Sequence, residues 1–348
     1  MMPEEWPIAA SAADRNVPAR RAGRDRLSTV RLDFFLDSDA RLTEQERALM
    51  TAMLHGLVGE IADEIRAALP LGWAPANDES NASLVSDLRV AGLLDEEGLM
   101  SLLLRRADEE RIGTAARARS GAPEPRVIQG LVSHENGAVS AAAMALILAR
   151  GRRRDRFGQY LVDFDDLPQA SAEVLVNAVA AGLRRDLAGV RGAAAADAEL
   201  CGAAGRLLAR RDPSRGVDVL TTSLVRLLEQ SASPANGLLL SAAQEGEVAF
   251  IVAVLGQRAA ISASQALDEL LSGNAPRVMA LFRIAGFSRE LAAGLLASIG
   301  DLLGIANPGA AIGIFDSLTD EQLRAASIWL GAAPGYRAAL DSLWASRG

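Results

Sequence analysis

Residues 239–248 read LLSAAQEGEV and residues 270–278 read LLSGNAPRV, so two stretches in the C-terminal third share one pattern. In both, two leucines lead through a polar turn to a valine. Two related copies occur at 103–112, LLRRADEERI, and at 131–139, LVSHENGAV. Apolar steps on either side of a polar turn are typical of two packed helices. The pattern therefore predicts a helix, a tight turn and a second helix at each copy.

The spacing of the copies indicates the size of the repeat. Counted from the second apolar residue, neighbouring copies are 28 residues apart from 104 to 132 and 31 residues apart from 240 to 271. Repeats of about 20 to 50 residues are typical of solenoids. A two-helix unit cannot bury its apolar face alone, so neighbouring units must stack. We therefore expect an all-α fold, a HEAT/armadillo-like α-solenoid of stacked two-helix repeats.

The composition agrees with a helical fold. Half of the 348 residues are hydrophobic but only 4% are aromatic, which favours closely packed helices over sheets. We expect a disordered tail at 1–23, a repeat half at 24–150, a seam at 151–170 and a second repeat half at 171–348. The predicted helices lie at 24–36, 43–69, 79–92, 95–107, 109–119, 124–133, 137–150, 171–188, 194–211, 216–230, 319–332 and 335–346.

Three helix starts carry a capping-box pattern, in which a hydroxyl and a side chain three residues later satisfy each other's backbone N–H groups. The pairs are Thr43 with Glu46, Ser262 with Gln265, and Thr319 with Gln322. We expect a helix to begin directly after each hydroxyl residue.

Several kinds of chemistry lack an essential residue. All 36 basic residues are arginine, so a P-loop, a protein kinase site and a pyridoxal Schiff base each lack their lysine. The chain contains neither a Gly-x-Ser-x-Gly nucleophile elbow nor a His-Glu-x-x-His zinc helix. His55, His134 and Cys201 are too few for a zinc site without a carboxylate. We expect a half-exposed His55, a His134 in a turn and a small buried Cys201, with no catalytic residue, metal or cofactor.

Three features indicate the location of the protein. A single cysteine excludes an internal disulfide framework and fits a reducing cytoplasm. The longest apolar run, Val139 to Ala149, is too short to cross a bilayer and is typical of a buried core helix. The first 23 residues contain no continuous apolar stretch of the kind that a secretory signal needs. We therefore predict a cytoplasmic protein without a membrane span.

The acidic loop at 163–168, DFDDLP, does not match a calcium-binding EF-hand loop. Counted from Asp163, an EF-hand would require Gly at the sixth position and Glu at the twelfth, but these are Pro168 and Val174. The carboxylates are instead expected to cap a helix N-terminus.

Paired arginines at predicted helix ends are the best candidate binding residues. If successive repeats present these ends on one side, they form a guanidinium ladder suited to carboxylate or phosphate groups. The alternative is that they are solvated cations favoured by the helix dipole. A net charge of −8 argues against general nucleic-acid affinity. The candidates are Arg105, Arg106, Arg152, Arg153, Arg154, Arg156, Arg184 and Arg185.

The N-terminal part resembles a known bacterial family. The motifs are RLDFFL at 31–36, LTEQERAL at 42–49 and IRAAL at 65–69, followed by HEAT-like repeats. They resemble the HEAT-like helical-repeat family catalogued as domain of unknown function 2336, over residues 24 to 300. The resemblance implies a HEAT-like α-solenoid and supplies neither an activity nor site residues.

A non-enzymatic adapter that binds an unidentified protein partner in the solenoid groove is the favoured function. One alternative is a nucleic-acid or phosphate binder that uses Arg152, Arg153, Arg154 and Arg156. Another is a carboxylate-based enzyme, such as a helical-repeat DNA glycosylase built on an Asp with aromatic neighbours.

Overall fold

The computed structural model describes residues 43–70, 73, 80–121, 126–154, 160–231 and 235–345. The predicted tail at 1–23 and the predicted helix at 24–36 lie outside these ranges. The described residues are all-α, with sixteen α-helices and no β-strand. Arg154 and Tyr160 form an isolated bridge.

The helices lie close to the predicted positions. Their bounds are α1 Glu44–Ala67, α2 Ser80–Val90, α3 Glu97–Ser120, α4 Val127–Gly130, α5 Gly137–Gly151, α6 Gln169–Arg191, α7 Ala193–Arg210, α8 Val217–Glu229, α9 Asn236–Gln244, α10 Val248–Ala259, α11 Ala263–Leu270, α12 Ala275–Ile284, α13 Arg289–Ile299, α14 Pro308–Ser317, α15 Asp320–Gly331 and α16 Pro334–Ala345. Short 3-10 helices lie at Leu131–Ser133, Phe164–Asp166 and Pro213–Arg215.

The repeat pattern predicts a turn correctly in three of its four copies. The turn at 131–139 leads into α5, the turn at 239–248 joins α9 to α10, and the turn at 270–278 joins α11 to α12. The turn predicted at 103–112 is wrong, because α3 runs through this segment without a break. This segment contains neither Gly nor Pro, and Arg111 pairs with the buried Asp108 one turn earlier at 3.2 Å. The polar residues thus support the helix instead of ending it.

Two of the three capping boxes form completely. Thr43 and Glu46 exchange both hydrogen bonds at the start of α1, and Thr319 and Gln322 do so at the start of α15. Ser262 caps α11, but Gln265 is buried and its Nε2 donates to the Leu330 carbonyl at 2.5 Å. A buried carbonyl without a donor is costly, so the tertiary contact replaces the local one.

The chain forms two compact units, and each draws on both sides of the predicted seam at 151–170. Among the described residues, we call 43–107 with 148–219 the α1 unit, and 108–147 with 220–345 the α10 unit.

The α1 unit is built around its first long helix. α1 packs on α2, α6 and α7, while α6 and α7 pack along each other. Met50, Met53, Leu57 and Ile61 form the fully buried stripe of α1, as its helical spacing predicts.

The α10 unit contains a row of helices that pack in chain order. α10 packs on α12, and α12 packs on α14. α9 contacts both α10 and α13. Phe250 and Phe282, on α10 and α12, are among the largest side chains buried here.

The apolar run in α5 forms the predicted helix but is not wholly buried. Val139, Ala143 and Leu146 are inaccessible, whereas Met144 and Leu148 are 43% and 63% exposed. No single helix in the described ranges is long and apolar enough to cross a membrane, although α10 and α11 together meet that test across a 108° bend.

Candidate functional site

The predicted arginine ladder is divided among three environments. Arg105, Arg106 and Arg153 converge inside the α1 unit, and Arg152 lines a cleft of the same unit. Arg154, Arg184 and Arg185 are exposed, and Arg156 lies outside the described residues.

The buried arginines hold helix ends together instead of facing a ligand. Arg106 is fully buried, and its Nη2 lies 2.7 Å from Asp218 Oδ1 and 3.9 Å from Asp166 Oδ1. Arg105 Nη2 reaches the other oxygen of Asp218 at 2.8 Å. The partly exposed Asp218 thereby links the first turn of α8 to α3.

Arg153 completes this cluster. Its Nε and Nη2 donate to Asp166 Oδ2 at 2.9 and 2.5 Å. Asp166 Oδ1 accepts from the backbone N–H of Val217 at 2.7 Å, at the N-terminus of α8. Burial acts to raise the pKa of Asp218, but Arg106 and Arg105 outweigh it and hold that pKa well below its usual range. The expectation that every paired arginine is a surface cation is therefore wrong for Arg106 and Arg153.

The remaining predicted arginines are surface side chains. Arg184 Nε pairs with Asp197 Oδ1 at 2.5 Å, and the 85%-exposed side chain of Arg185 lies 3.8 Å from Asp87. The guanidinium of Arg154 lies 5.2 Å above the ring centre of Tyr160. Their use in phosphate or nucleic-acid recognition stays a prediction.

A cleft of about 490 Å³ opens in the α1 unit between α1, the end of α5, the turn at 163–165 and the end of α7. Its lining is mixed in charge, with apolar surface between the charged groups. The lining consists of Glu60, Glu64, Asp163 and Asp165, the arginines Arg152, Arg210, Arg211 and Arg215, and the apolar residues Ile61, Phe164 and Leu207.

Three of the cleft carboxylates are paired with arginines. Arg152 Nε donates to Asp163 Oδ2 at 2.6 Å, and Arg210 Nη2 lies 2.9 Å from Glu64 Oε2. Arg215 Nε is 3.8 Å from Asp165 Oδ2.

Arg211 is held by neutral acceptors. It donates to the carbonyls of Leu167 and Phe164, and its Nη1 donates to Gln169 Oε1 at 2.8 Å. Its guanidinium therefore ties the end of α7 to the turn before α6.

The acidic loop caps its own 3-10 helix, but the predicted cap on the α-helix that directly follows the loop is wrong. Asp163 accepts from the N–H of Asp165 at 2.9 Å, and Asp165 Oδ1 accepts from the N–H of Asp212 at 2.9 Å. The helix directly after the loop, α6, begins at Gln169, and Pro168 at its N-cap makes no side-chain hydrogen bond. The carboxylates serve the loop's own 3-10 turn and segments far along the chain.

Glu60 is the exception among the cleft carboxylates. Within the described residues its carboxyl makes neither a hydrogen bond nor an ion pair, and it keeps an exposed surface. Burial of its carboxyl, with the negative charges of Asp163, Glu64 and Asp165, raises the pKa of Glu60 to about 7 against an opposing effect of Arg152. The sequence places Glu60 beside the apolar stripe of α1 but contains no signal for this environment, because Asp163 and Asp165 are distant in the chain.

The three possible nitrogen and sulfur ligands of a metal ion, His55, His134 and Cys201, are not among the residues that line the cleft. Cys201 is exposed, so its predicted burial is wrong. His55 is exposed, and His134 Nδ1 accepts from the N–H of Asn136 at 3.0 Å in its turn. Among the residues that the structure describes, no group of three His, Cys, Asp or Glu side chains is arranged to hold a metal ion.

Comparison with curated proteins and with solved structures finds no match. A family model does match residues 88–319, which is more than half of the chain. This range begins after the 31–69 motifs that first indicated the family and extends past residue 300. The chain belongs to the family described as "uncharacterised protein conserved in bacteria", domain of unknown function 2336.

Proposed function

We propose that this protein is a non-enzymatic cytoplasmic adapter, a HEAT/armadillo-like α-solenoid that binds a protein partner along the groove of its stacked repeats. The observation that carries the proposal is the packing of α10 on α12 and of α12 on α14 in chain order. Helical repeats that contact their neighbours in order present an extended surface, which suits them to partner binding.

The pairing of many charged side chains within the fold supports a binding role. Two of the eight candidate arginines, Arg106 and Arg153, are buried against Asp218 and Asp166. Three cleft carboxylates are likewise occupied by arginines. Side chains committed to fixed ion pairs hold the fold together and are not free to exchange a proton, and among the cleft carboxylates Glu60 is the exception.

The absence of lysine from the chain makes a direct test possible. A zero-length carbodiimide reagent joins carboxylates to amines, and this chain offers 44 carboxylate side chains but no lysine amine. In a native bacterial extract treated with nuclease, every cross-link from an Asp or Glu of the bait, apart from one to its own N-terminus, must lead to another kind of protein.

We expect one protein to be cross-linked reproducibly and to bind the purified full chain directly. Recovery of nucleic acid alone from a parallel extract without nuclease, reduced by Arg154→Ala or Arg185→Ala, would favour the phosphate-binding alternative and overturn the adapter. These exposed arginines suit the comparison, because replacing Arg153 would leave Asp166 buried without its bidentate partner.

A further inference from the structure

The cleft of the α1 unit has an unbalanced charge at one point. The charged groups that act most strongly on Glu60 are Asp163, Glu64 and Asp165, opposed by Arg152. The cleft lining contains four carboxylates and four arginines, but Asp163, Glu64 and Asp165 are each paired with an arginine, and Glu60 is not. The position beside Glu60 is therefore suited to a cation.

The other cleft arginines are bound to other groups and do not form an ion pair with Glu60. Arg210 is paired with Glu64, Arg215 lies near Asp165, and Arg211 donates to backbone carbonyls and to Gln169. An incoming anion would have to displace these contacts. An incoming cation would instead meet the Glu60 carboxylate, which has no hydrogen-bond or ion-pair partner among the described residues.

The apolar lining indicates what should carry that cation. Ile61, Phe164 and Leu207 lie between the charged groups of the cleft. Long basic side chains bury their aliphatic stems on apolar surface while the charged head meets a polar group. A cleft of about 490 Å³ lies within the usual range of ligand sites, about 300 to 1,000 Å³.

We propose that this cleft binds a lysine or arginine side chain of the protein partner, with Glu60 as its counter-ion. The inference rests on the proposed adapter function, because it identifies where and by what chemistry the partner is held.

Binding of this kind depends on pH. The charged groups around Glu60 are Glu64 on its own helix, Asp163 and Asp165 on the turn, Arg152 after α5, and the arginines Arg210, Arg211 and Arg215 at and beyond the end of α7. Since the pKa of Glu60 is about 7, a bound cation favours its ionised form and releases a proton below that pH. Affinity should therefore rise from pH 6 to pH 8.

Calorimetric titration of the full chain with two peptides tests the proposal. The probe is acetyl-Ala-Arg-Ala-amide, and its match is the same peptide with citrulline, which keeps the shape of arginine but removes its charge. We expect the citrulline peptide to bind at least tenfold more weakly at pH 8. Glu60→Gln should lower the affinity for the arginine peptide at least tenfold. Glu44→Gln, at an exposed position on the same helix, should change this affinity less than twofold.

Three results would overturn the proposal. They are equal binding of the two peptides, unchanged affinity in Glu60→Gln, and Glu60-dependent binding of calcium chloride without peptide binding. Misfolding is excluded as an explanation by the melting temperature of Glu60→Gln, which we expect to equal or exceed that of the parent at pH 8.

The two proposals fail separately. If a cross-linked partner binds Glu60→Gln as tightly as the parent, the cleft assignment fails and the adapter stands. If the arginine peptide binds through Glu60 but no protein is captured, the adapter assignment fails.

Discussion

Glu60 shows how a single carboxyl can take its properties from residues far along the chain. The ordinary pKa of a glutamate is about 4.5, but burial and three neighbouring carboxylates raise that of Glu60 to about 7. The folded state therefore binds a proton between these two values that the unfolded state releases. It follows that the contribution of Glu60 to stability is lost as the pH rises from about 4.5 to about 7.

Replacing Glu60 should make the protein more stable at alkaline pH. Glu60→Gln removes the cost of ionisation, so its melting temperature should exceed that of the parent at pH 8 and approach it near pH 4.5. Because the side chain is partly exposed, we expect a gain of about 1 kcal/mol or less. Thermal unfolding followed by circular dichroism across this range measures the difference, and a constant difference at all pH values would contradict the assigned cause.

Asp166 has the opposite role, since it is a buried carboxylate whose partners are all in place. It accepts two hydrogen bonds from Arg153 and one from the N–H of Val217. Asp166→Ala should destabilise the protein by about 3–5 kcal/mol, because it leaves a buried guanidinium without its main counter-ion.

Urea unfolding measures the effect of this change. The matched control is Asp316→Ala, which removes an exposed carboxylate paired with Arg289 and should cost no more than about 1 kcal/mol. Equal losses in the two variants would show that the Asp166 cluster is not a stabilising element.

At the scale of elements, α3 approaches the turn between α9 and α10 so closely that glycine is required on both sides. A Cβ on Gly113 would lie 2.8 Å from the carbonyl oxygen of Gly246, and a Cβ on Gly246 would lie 2.3 Å from that of Gly113. Gly246 also has a φ of +72°, in the left-handed region. Two backbone segments of the α10 unit therefore meet without side chains between them.

Substitution at this contact should separate the two segments. Gly246→Ala combines left-handed strain with a backbone clash, so we expect a loss of about 2–4 kcal/mol. Gly286→Ala is the control, because its φ is +69° but nothing lies within 4 Å of the added Cβ. It should lose only about 1–2 kcal/mol. Chemical denaturation of both variants checks the difference, and similar losses would contradict the proposed clash.

For the whole molecule, net charge sets the expected behaviour toward nucleic acid. The chain carries 44 acidic and 36 basic residues, and its sequence pI is about 5.1. Duplex binders gain affinity by replacing counterions along the phosphates with an excess of basic groups, which this chain lacks.

We therefore expect the full chain to show no measurable affinity for a random duplex in fluorescence anisotropy at physiological salt. Lowering the salt should not produce the steep gain in affinity that is characteristic of phosphate contacts. A strong salt dependence that is reduced in Arg154→Ala would contradict this expectation and revive the nucleic-acid alternative.

The sequence by itself was sufficient to predict the all-α class, most helix positions and two complete capping boxes. Each of these depends on residues within a few positions of one another, such as Thr319 and Gln322. Local patterns are less informative where a polar segment can either turn or continue a helix. At 103–112 the copy of the repeat pattern lies within α3. Asp108 pairs with Arg111 on the same helix, and Arg106 pairs with Asp218 on α8. These ion pairs decide that the segment continues the helix instead of forming a turn.

Only the tertiary structure decided which charges are buried and which face the cleft. Arg106 and Asp218 are 112 residues apart in the chain, and Arg210 and Glu64 are 146 apart. The sequence contains 36 arginines and 44 carboxylates, but it does not show which of them form ion pairs. Ion pairing acts over a few ångströms in space, whereas helix propensity and capping act along the chain. The helices were therefore predictable from sequence. The environment of the Glu60 carboxyl was not, because it depends on the packing of α1 against the turn at 163–165.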